Sequence, residues 1–106
     1  MSGYVLFDNL KVTDPDGLDQ YRKQILPLVK KHGGRYLAVG GQHDTVEGDY
    51  AFTYPILLEF PDLDAARTWY ESEEYSPLRE LRKRSTVAWA ILFEGDKDDP
   101  LFTEKS

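Results

Sequence analysis

The stretch YPILLEFPDLDAARTWYES, residues 54–72, joins a strand pattern to a helix pattern and decides the fold class. In YPILLEF the side chains alternate between two faces, as they do along a strand. Both faces are apolar, with Tyr54, Ile56, Leu58 and Phe60 on one and Pro55 and Leu57 on the other. Asp62 then stands at a helix N-cap, and the helix LDAARTWYES places three apolar side chains on one face, Ala66, Trp69 and Tyr70. We therefore expect a helix that packs against a sheet.

The sequence before this stretch adds two strands and a longer helix. Tyr4–Val12 (YVLFDNLKV) alternates like a strand, and Asp14 then caps a helix that ends at Gly33-Gly34. The segment RYLAVGG predicts the second strand. We expect QHDTVEG to continue that strand past a bulge or bend at Gly40-Gly41, because paired glycines allow unusual backbone shapes, and DYAFT to form a loop.

The sequence after this stretch completes the order of elements. Ser76-Pro77 predicts the start of a further short helix, and STVAWAILFEG, residues 85–95, predicts the last strand. Strand, helix, strand, strand, helix, strand is the ferredoxin-like βαββαβ arrangement, an α+β fold. It has a four-stranded antiparallel sheet with its helices on one face. We assign this domain to residues 1–95 and a charged C-terminal tail to residues 96–106.

The predicted sheet is apolar on both faces, although helices can cover only one. In the last strand, Val87, Trp89, Ile91 and Phe93 oppose Ala88, Ala90 and Leu92. An exposed patch of this size exceeds what monomers usually leave in water. We therefore expect a homodimer, in which a second copy packs sheet to sheet about a two-fold axis. A permanently bound partner or a lipid-like ligand is the alternative cover.

Composition excludes several classes of function. The chain has 106 residues, a net charge of −6 and no Cys, which excludes disulfides and thiolate chemistry. Its basic cluster lies beside glutamates and is interpreted as a solvated helix end, so nucleic acid is not an expected partner; the cluster is Arg79, Arg82, Lys83 and Arg84. No apolar run approaches the roughly 20 residues that span a bilayer, and MSGYVLFDNL lacks the basic and apolar regions typical of a signal peptide, so we expect a cytoplasmic protein without membrane contact.

Two side chains are candidates for proton transfer. His43 follows the glycine bend, and an imidazole titrates near neutral pH; the alternative is an exposed histidine in a hairpin. Glu59 lies among apolar neighbours, where it would either pair with an arginine, Arg35 or Arg79, or keep its proton with a raised pKa. The alternative is that Glu59 points outward near the strand end.

Other polar and aromatic side chains are candidates for ligand binding. Tyr4, Tyr54 and Arg79 would position a substrate, Tyr75 could reach the same pocket, and Arg35 is a further binding candidate. Asp8 and Asn9 interrupt the first strand, so one of them must turn toward polar company at the pocket mouth or at the dimer edge. The two histidines lack the spacing of a metal site, and neither a metal nor an organic cofactor is expected.

Several motifs of the chain resemble a known family. VTDPDGLDQYRK, HGGRYLAVGG, VEGDY, LLEFPDLDAARTWYESEEYSPLRELR and AILFEG, in this order, resemble the domain of unknown function 1330 family, between about Tyr4 and Gly95. The segment from Glu59 to Arg82 is the most specific part. That family is similar to the broader dimeric α+β barrel group, so the resemblance implies the same fold and a dimer. It implies no single activity, because the group contains cofactor-free monooxygenases, dehydratases, isomerases and haem enzymes.

Two positions depart from the family pattern. The family commonly has an arginine just before the paired glycines and another at the start of the third strand, where this chain has Val39 and Tyr54. The resemblance therefore implies a neutral or aromatic ligand rather than an acidic one. Three functions stay open. The chain is a cofactor-independent enzyme that acts on such a compound, a module that binds or senses it, or an interaction protein whose sole function is dimerisation through its two-fold face.

Overall fold

The computed structural model describes residues 1–104. Four strands and three helices follow the predicted order, and the third helix is the further short helix predicted to start at Ser76-Pro77. The strands are β1 (Ser2–Val12), β2 (Arg35–Val39), β3 (Pro55–Phe60) and β4 (Thr86–Gly95), and the helices are α1 (Pro15–Lys31), α2 (Leu63–Glu71) and α3 (Ser76–Ser85). The predicted ferredoxin-like α+β fold is confirmed.

The sheet has the strand order β2-β3-β1-β4, and its paired strands are antiparallel. Tyr4 of β1 lies opposite Glu59 of β3 and Phe93 of β4, so these three side chains share one face. The pairing of β1 with β4 shifts between Asn9 and Lys11. This bulge follows Asn9, which interrupts the apolar alternation of the strand.

The core lies between the sheet and the three helices. Trp69 of α2 is fully buried, and its ring lies 4.3 Å from that of Tyr75 and 5.3 Å from that of Phe60. Both predicted N-caps are confirmed: Asp14 accepts a hydrogen bond from the Gly17 amide at 3.2 Å, and Asp62 accepts one from the Ala65 amide at 2.7 Å. Each cap satisfies a backbone donor that the first helical turn leaves unpaired.

The expectation that the second strand continues through QHDTVEG is wrong. β2 ends at Val39, and residues 41–54 form a loop without helix or strand. Gly40 and Gly41 both have positive φ angles, 61° and 95°, so two successive left-handed residues turn the chain out of the sheet instead of forming a bulge within it. The loop returns to β3 because the carboxylate of Asp8 accepts hydrogen bonds from the amides of Thr53 (3.0 Å) and Tyr54 (2.8 Å).

The sheet face opposite the helices, which we call the open face, is apolar as predicted. Ile91 and Phe93 are 42% and 41% exposed there, and the Phe93 ring stacks on Tyr4 at 5.3 Å. At one end the ring of Tyr50, from the loop before β3, lies 5.3 Å from that of Trp89. Among residues 1–104, no helix covers the rest of this face.

The tail begins with a fixed residue. Lys97 pairs with Glu59 at 2.8 Å, while Leu101 and Phe102 stay almost fully exposed. The first tail residues are therefore held to the domain by charge and not by apolar packing. No helix in the described part of the chain has the length and apolar character needed to cross a membrane.

Candidate ligand-binding site

A cavity of about 510 Å³ lies between α1 and the sheet, at the end of the sheet where β1 and β2 finish and β3 begins. This is where pockets of small-molecule size are found, between helices and strand ends, and the volume is typical of them. Its wall is mostly apolar. The lining residues are Phe7, Asn9, Leu10, Lys11, Val12, Leu18, Tyr21, Arg22, Ile25, Leu26, Tyr36, Val39, Thr53, Tyr54, Ile56 and Arg82.

Arg82 of α3 lines this cavity, so its interpretation as part of a solvated helix end is wrong. The residue is only 6% exposed, and its guanidinium carbon lies 4.8 Å above the ring of Phe7. Its Nε donates a long hydrogen bond of 3.4 Å to the hydroxyl of Tyr75. No ion pair within residues 1–104 includes Arg82. A guanidinium stays charged at any ordinary pH, so a buried positive charge faces this cavity.

Tyr21, Tyr36 and Asn9 add further polar groups to the cavity lining. The hydroxyls of Tyr21 and Tyr75 lie 2.9 Å apart, and burial, followed by the electrostatic interaction with Tyr75, raises the pKa of Tyr21 far above its ordinary value. Burial also raises the pKa of Tyr36 to about 12. The side-chain oxygen of Asn9 is buried and has no hydrogen-bond partner in the described part of the chain. These groups are neutral at neutral pH and can donate or accept hydrogen bonds.

Of the five predicted ligand-binding residues, the structure brings Tyr54 to this cavity. Tyr75 lies in the core behind it and reaches it through the hydroxyl of Tyr21 and the guanidinium of Arg82. Arg79 turns away, because its guanidinium donates to the carbonyl of Tyr70 at 2.6 Å. The predicted residues therefore do not form one site.

Glu59, Arg35 and Tyr4 meet elsewhere, on the open face at its edge. Glu59 is 8% exposed and accepts hydrogen bonds from Arg35 at 2.7 Å, Lys97 at 2.8 Å and the hydroxyl of Tyr4 at 3.3 Å. The first of the two expected alternatives, pairing with an arginine, is confirmed with Arg35. The hydrogen bonds from Lys97 and then Arg35 lower the pKa of Glu59 to about 2, although burial opposes them. Glu59 is thus ionised at neutral pH, and it lines a second, shallow pocket of about 210 Å³.

His43 lies in the loop between β2 and β3 and is exposed to water. Its ring Nδ1 lies 3.1 Å from the carbonyl oxygen of Gly41, a contact within the same turn. The structure therefore places the two proton-transfer candidates, His43 and Glu59, apart from each other and outside the cavity lining. Their part in any reaction stays a prediction.

The sequence contained a signal for Arg82. Tyr75, Leu78, Arg82 and Ser85 recur at steps of three and four residues, which puts them on one helix face, and three of the four are buried. Because Arg79, Lys83 and Arg84 are neighbouring cations, Arg82 was grouped with them as part of a solvated helix end. Asn9 was one of the two polar residues expected to turn toward the pocket mouth or the dimer edge, and the structure places it in the cavity lining.

A four-stranded antiparallel sheet, helices on one face and a ligand-sized cavity beneath α1 define a ferredoxin-like α+β protein. The model of the family "Domain of unknown function (DUF1330)" matches residues 2–96, and the chain belongs to that family. The resemblance seen in the sequence is thereby confirmed. No curated protein matches the chain significantly.

Solved structures support the fold. A protein of unknown function from Rhodopseudomonas palustris, RPA0582, is 16% identical with a TM-score of 0.68, covering 91% of this chain and 83% of its own. SnoaB, a cofactor-independent oxygenase from Streptomyces nogalater, is 14% identical with a TM-score of 0.60, covering 93% and 96%. A dimeric ferredoxin-like protein of unknown function from Thermobifida fusca is 15% identical with a TM-score of 0.56, covering 88% and 91%. At these identities the likeness shows the fold alone.

Proposed function

We propose that this chain forms a homodimer through the open face and binds one small, mainly apolar molecule in the cavity of each subunit. The observation that carries the proposal is the cavity of about 510 Å³, whose apolar wall contains a few inward polar groups. Sites for small molecules combine these two features, since apolar surface supplies affinity and a few polar groups fix orientation.

The size and character of the open face support the dimer. The four strands have 11, 5, 6 and 10 residues, which at about 3.3 Å per residue and about 4.8 Å between strands give a face of roughly 500 Å². With its side chains, this area is comparable to the roughly 800 Å² per partner that a stable interface needs. A partner subunit on the open face does not contact the helix side of the sheet, so the two cavities of a dimer remain accessible to ligands. The Thermobifida fusca protein of the same fold is described as dimeric.

Binding without conversion is the function that the cavity supports best. Within residues 1–104 its lining contains no carboxylate and no imidazole. Burial raises the pKa values of Tyr21 and Tyr36, so these phenols keep their protons at neutral pH. Groups that hold their protons fix a ligand in place, whereas general acid–base catalysis needs a group that titrates near the working pH.

A cofactor-independent oxygenase is the second candidate, and one observation favours it. Arg82 places a buried cation at the cavity, where it would stabilise negative charge that develops on an aromatic substrate. SnoaB carries such an activity on a similar fold. Oxygen consumption with hydroxylated aromatic compounds tests this candidate. Loss of oxygen consumption in His43→Ala or Glu59→Gln would support the predicted role of that residue in proton transfer.

The binding proposal is tested by NMR titration of ¹⁵N-labelled protein with 2-naphthol and with 2-naphthoate. We expect amide shifts to change for lining residues such as Phe7, Ile25 and Ile56. Leu18→Trp, which puts a larger side chain into the cavity, should reduce those changes. Its matched control is Leu37→Trp, since Leu37 is exposed on β2 and lies outside the lining.

Two results would contradict this proposal. One is the absence of shift changes with both compounds, and the other is an equal response of the two tryptophan variants. Shift changes confined to the open face would instead favour a ligand that covers the sheet. The cytoplasmic location stays a prediction, which cell fractionation tests.

A further inference from the structure

The polar end of the cavity points to the chemical class of the ligand, an inference that rests on the proposed binding function. We infer that the ligand is a small aromatic or branched aliphatic carboxylic acid, whose carboxylate meets Arg82 and whose apolar body fills the rest of the cavity. This replaces the neutral ligand that Val39 and Tyr54 implied, because Arg82 supplies a cation from a different element of the fold.

The guanidinium of Arg82 is buried and incompletely paired. It carries five N–H donors, and within residues 1–104 the one hydrogen bond it makes is the 3.4 Å contact from Nε to Tyr75. Its guanidinium carbon lies 4.8 Å above the ring of Phe7, which holds the group in place at the cavity wall. Buried charges are normally paired, so an anionic ligand in the cavity would stabilise this guanidinium. A carboxylate fits, because its two oxygens match the fork of the guanidinium.

The charge of the whole cavity supports an anion. Its charged lining residues are Lys11, Arg22 and Arg82, and each of them is a cation. Lys11 and Arg22 are exposed at the rim, while Arg82 lies inside. The chain as a whole carries a net charge of −6, so the cavity is a local positive region on an acidic protein. Such a region attracts anions toward the site and raises their association rate.

Asn9 adds a second polar contact beside Arg82. It lies two residues after Phe7 on the same strand face, about 7 Å along β1, and Arg82 packs on the ring of Phe7. The side-chain oxygen of Asn9 is buried without a partner in the described residues. This oxygen is an acceptor, so it would accept a hydrogen bond from a hydroxyl or N–H group of the ligand beside the carboxylate.

A carboxylate fits this cavity better than a phosphate does. One buried guanidinium supplies one positive charge, which matches the single charge of a carboxylate. A phosphate carries nearly two charges and is bound where several donors converge, as at a glycine-rich loop. Phe7, Ile25 and Ile56 instead surround the site with apolar surface, which favours a ligand with an apolar body.

Calorimetric titration of the wild-type protein with 2-naphthoate and with 2-naphthamide tests the inference. The two compounds share the same apolar body and differ in charge. Hydrogen bonds to charged groups predict that the carboxylate binds about 10- to 100-fold more tightly. This comparison needs no substitution, so it does not depend on whether a variant folds.

Variants then locate the preference. Arg82→Met should remove the advantage of the carboxylate, Arg82→Lys should restore part of it, and Arg84→Met, an exposed change on the same helix, should leave it unchanged. The NMR signal of the Arg82 Nε–H group should shift with 2-naphthoate and not with 2-naphthamide.

The outcomes separate this inference from the binding proposal. Equal affinities for the two compounds would overturn the carboxylate assignment and leave the binding site standing. A preference that survives in a folded Arg82→Met would overturn the role of Arg82. If neither compound binds, both the proposed function and this inference are wrong.

Discussion

Replacing Phe93 by alanine tests the dimer through the open face. Phe93 is 41% exposed in the single chain, so about 80 of its roughly 200 Å² would be buried by a second copy. At about 25 cal/mol per Å², each copy contributes about 2 kcal/mol. Two-fold symmetry counts the change twice, which gives about 4 kcal/mol. Phe93→Ala should therefore raise the dimer dissociation constant roughly a thousandfold.

Sedimentation velocity over a concentration series measures this constant. Phe102→Ala is the matched control, because Phe102 is 89% exposed in the tail and lies outside the sheet. Circular dichroism checks that Phe93→Ala keeps its fold, since its contact with Tyr4 lies on the open face and not in the core. Equal dissociation constants for the wild type and a folded Phe93→Ala would refute sheet-to-sheet dimerisation.

Three further predictions concern the ion pairs, the loop and the cavity rim. The pKa of Glu59 falls from 4.5 to about 2 on folding, so its stabilisation is present above pH 4.5 and is lost as the pH falls toward 2. Urea unfolding at pH 7 and pH 3 should show this loss in the wild type and not in Glu59→Gln; parallel pH profiles would contradict it. Asp8→Asn should lower the free energy of unfolding by about 2 kcal/mol and speed hydrogen exchange in residues 41–54, because it weakens the bonds to Thr53 and Tyr54; unchanged exchange would contradict the loop's attachment. The double variant Lys11→Gln/Arg22→Gln should slow association of 2-naphthoate and flatten its salt dependence in stopped-flow measurements, and an unchanged salt dependence would remove the rim from the account.

The fold could be predicted because its signals are local. The alternation in YPILLEF, the helical spacing in LDAARTWYES and the caps at Asp14 and Asp62 each depend on neighbours within a few residues. Both caps and the two apolar faces of the sheet are present in the structure. The error at Gly40-Gly41 has the same origin, since paired glycines permit either a bulge or a turn and the local sequence does not distinguish the two.

The site was predicted less well, because it depends on contacts between distant segments. Arg82 was assigned to a charged helix end, whereas its helix face turns it toward Phe7 on the first strand. Glu59 was predicted as a proton-transfer candidate. In the structure it forms ion pairs with Arg35 and with Lys97, which belongs to the predicted tail. Residue types indicated which side chains carry chemistry, but the packing of α3 against α1 and β4 decided which of them face the cavity.

Native mass spectrometry of the protein with 2-naphthoate tests the central claim most directly, because it counts chains and ligands together. One cavity per subunit and a dimer through the open face predict a species of two chains with up to two bound ligands. A dimer that saturates at one ligand would place the site on the two-fold axis. That result, or a folded single chain of 12.2 kDa as the main species, would contradict the account.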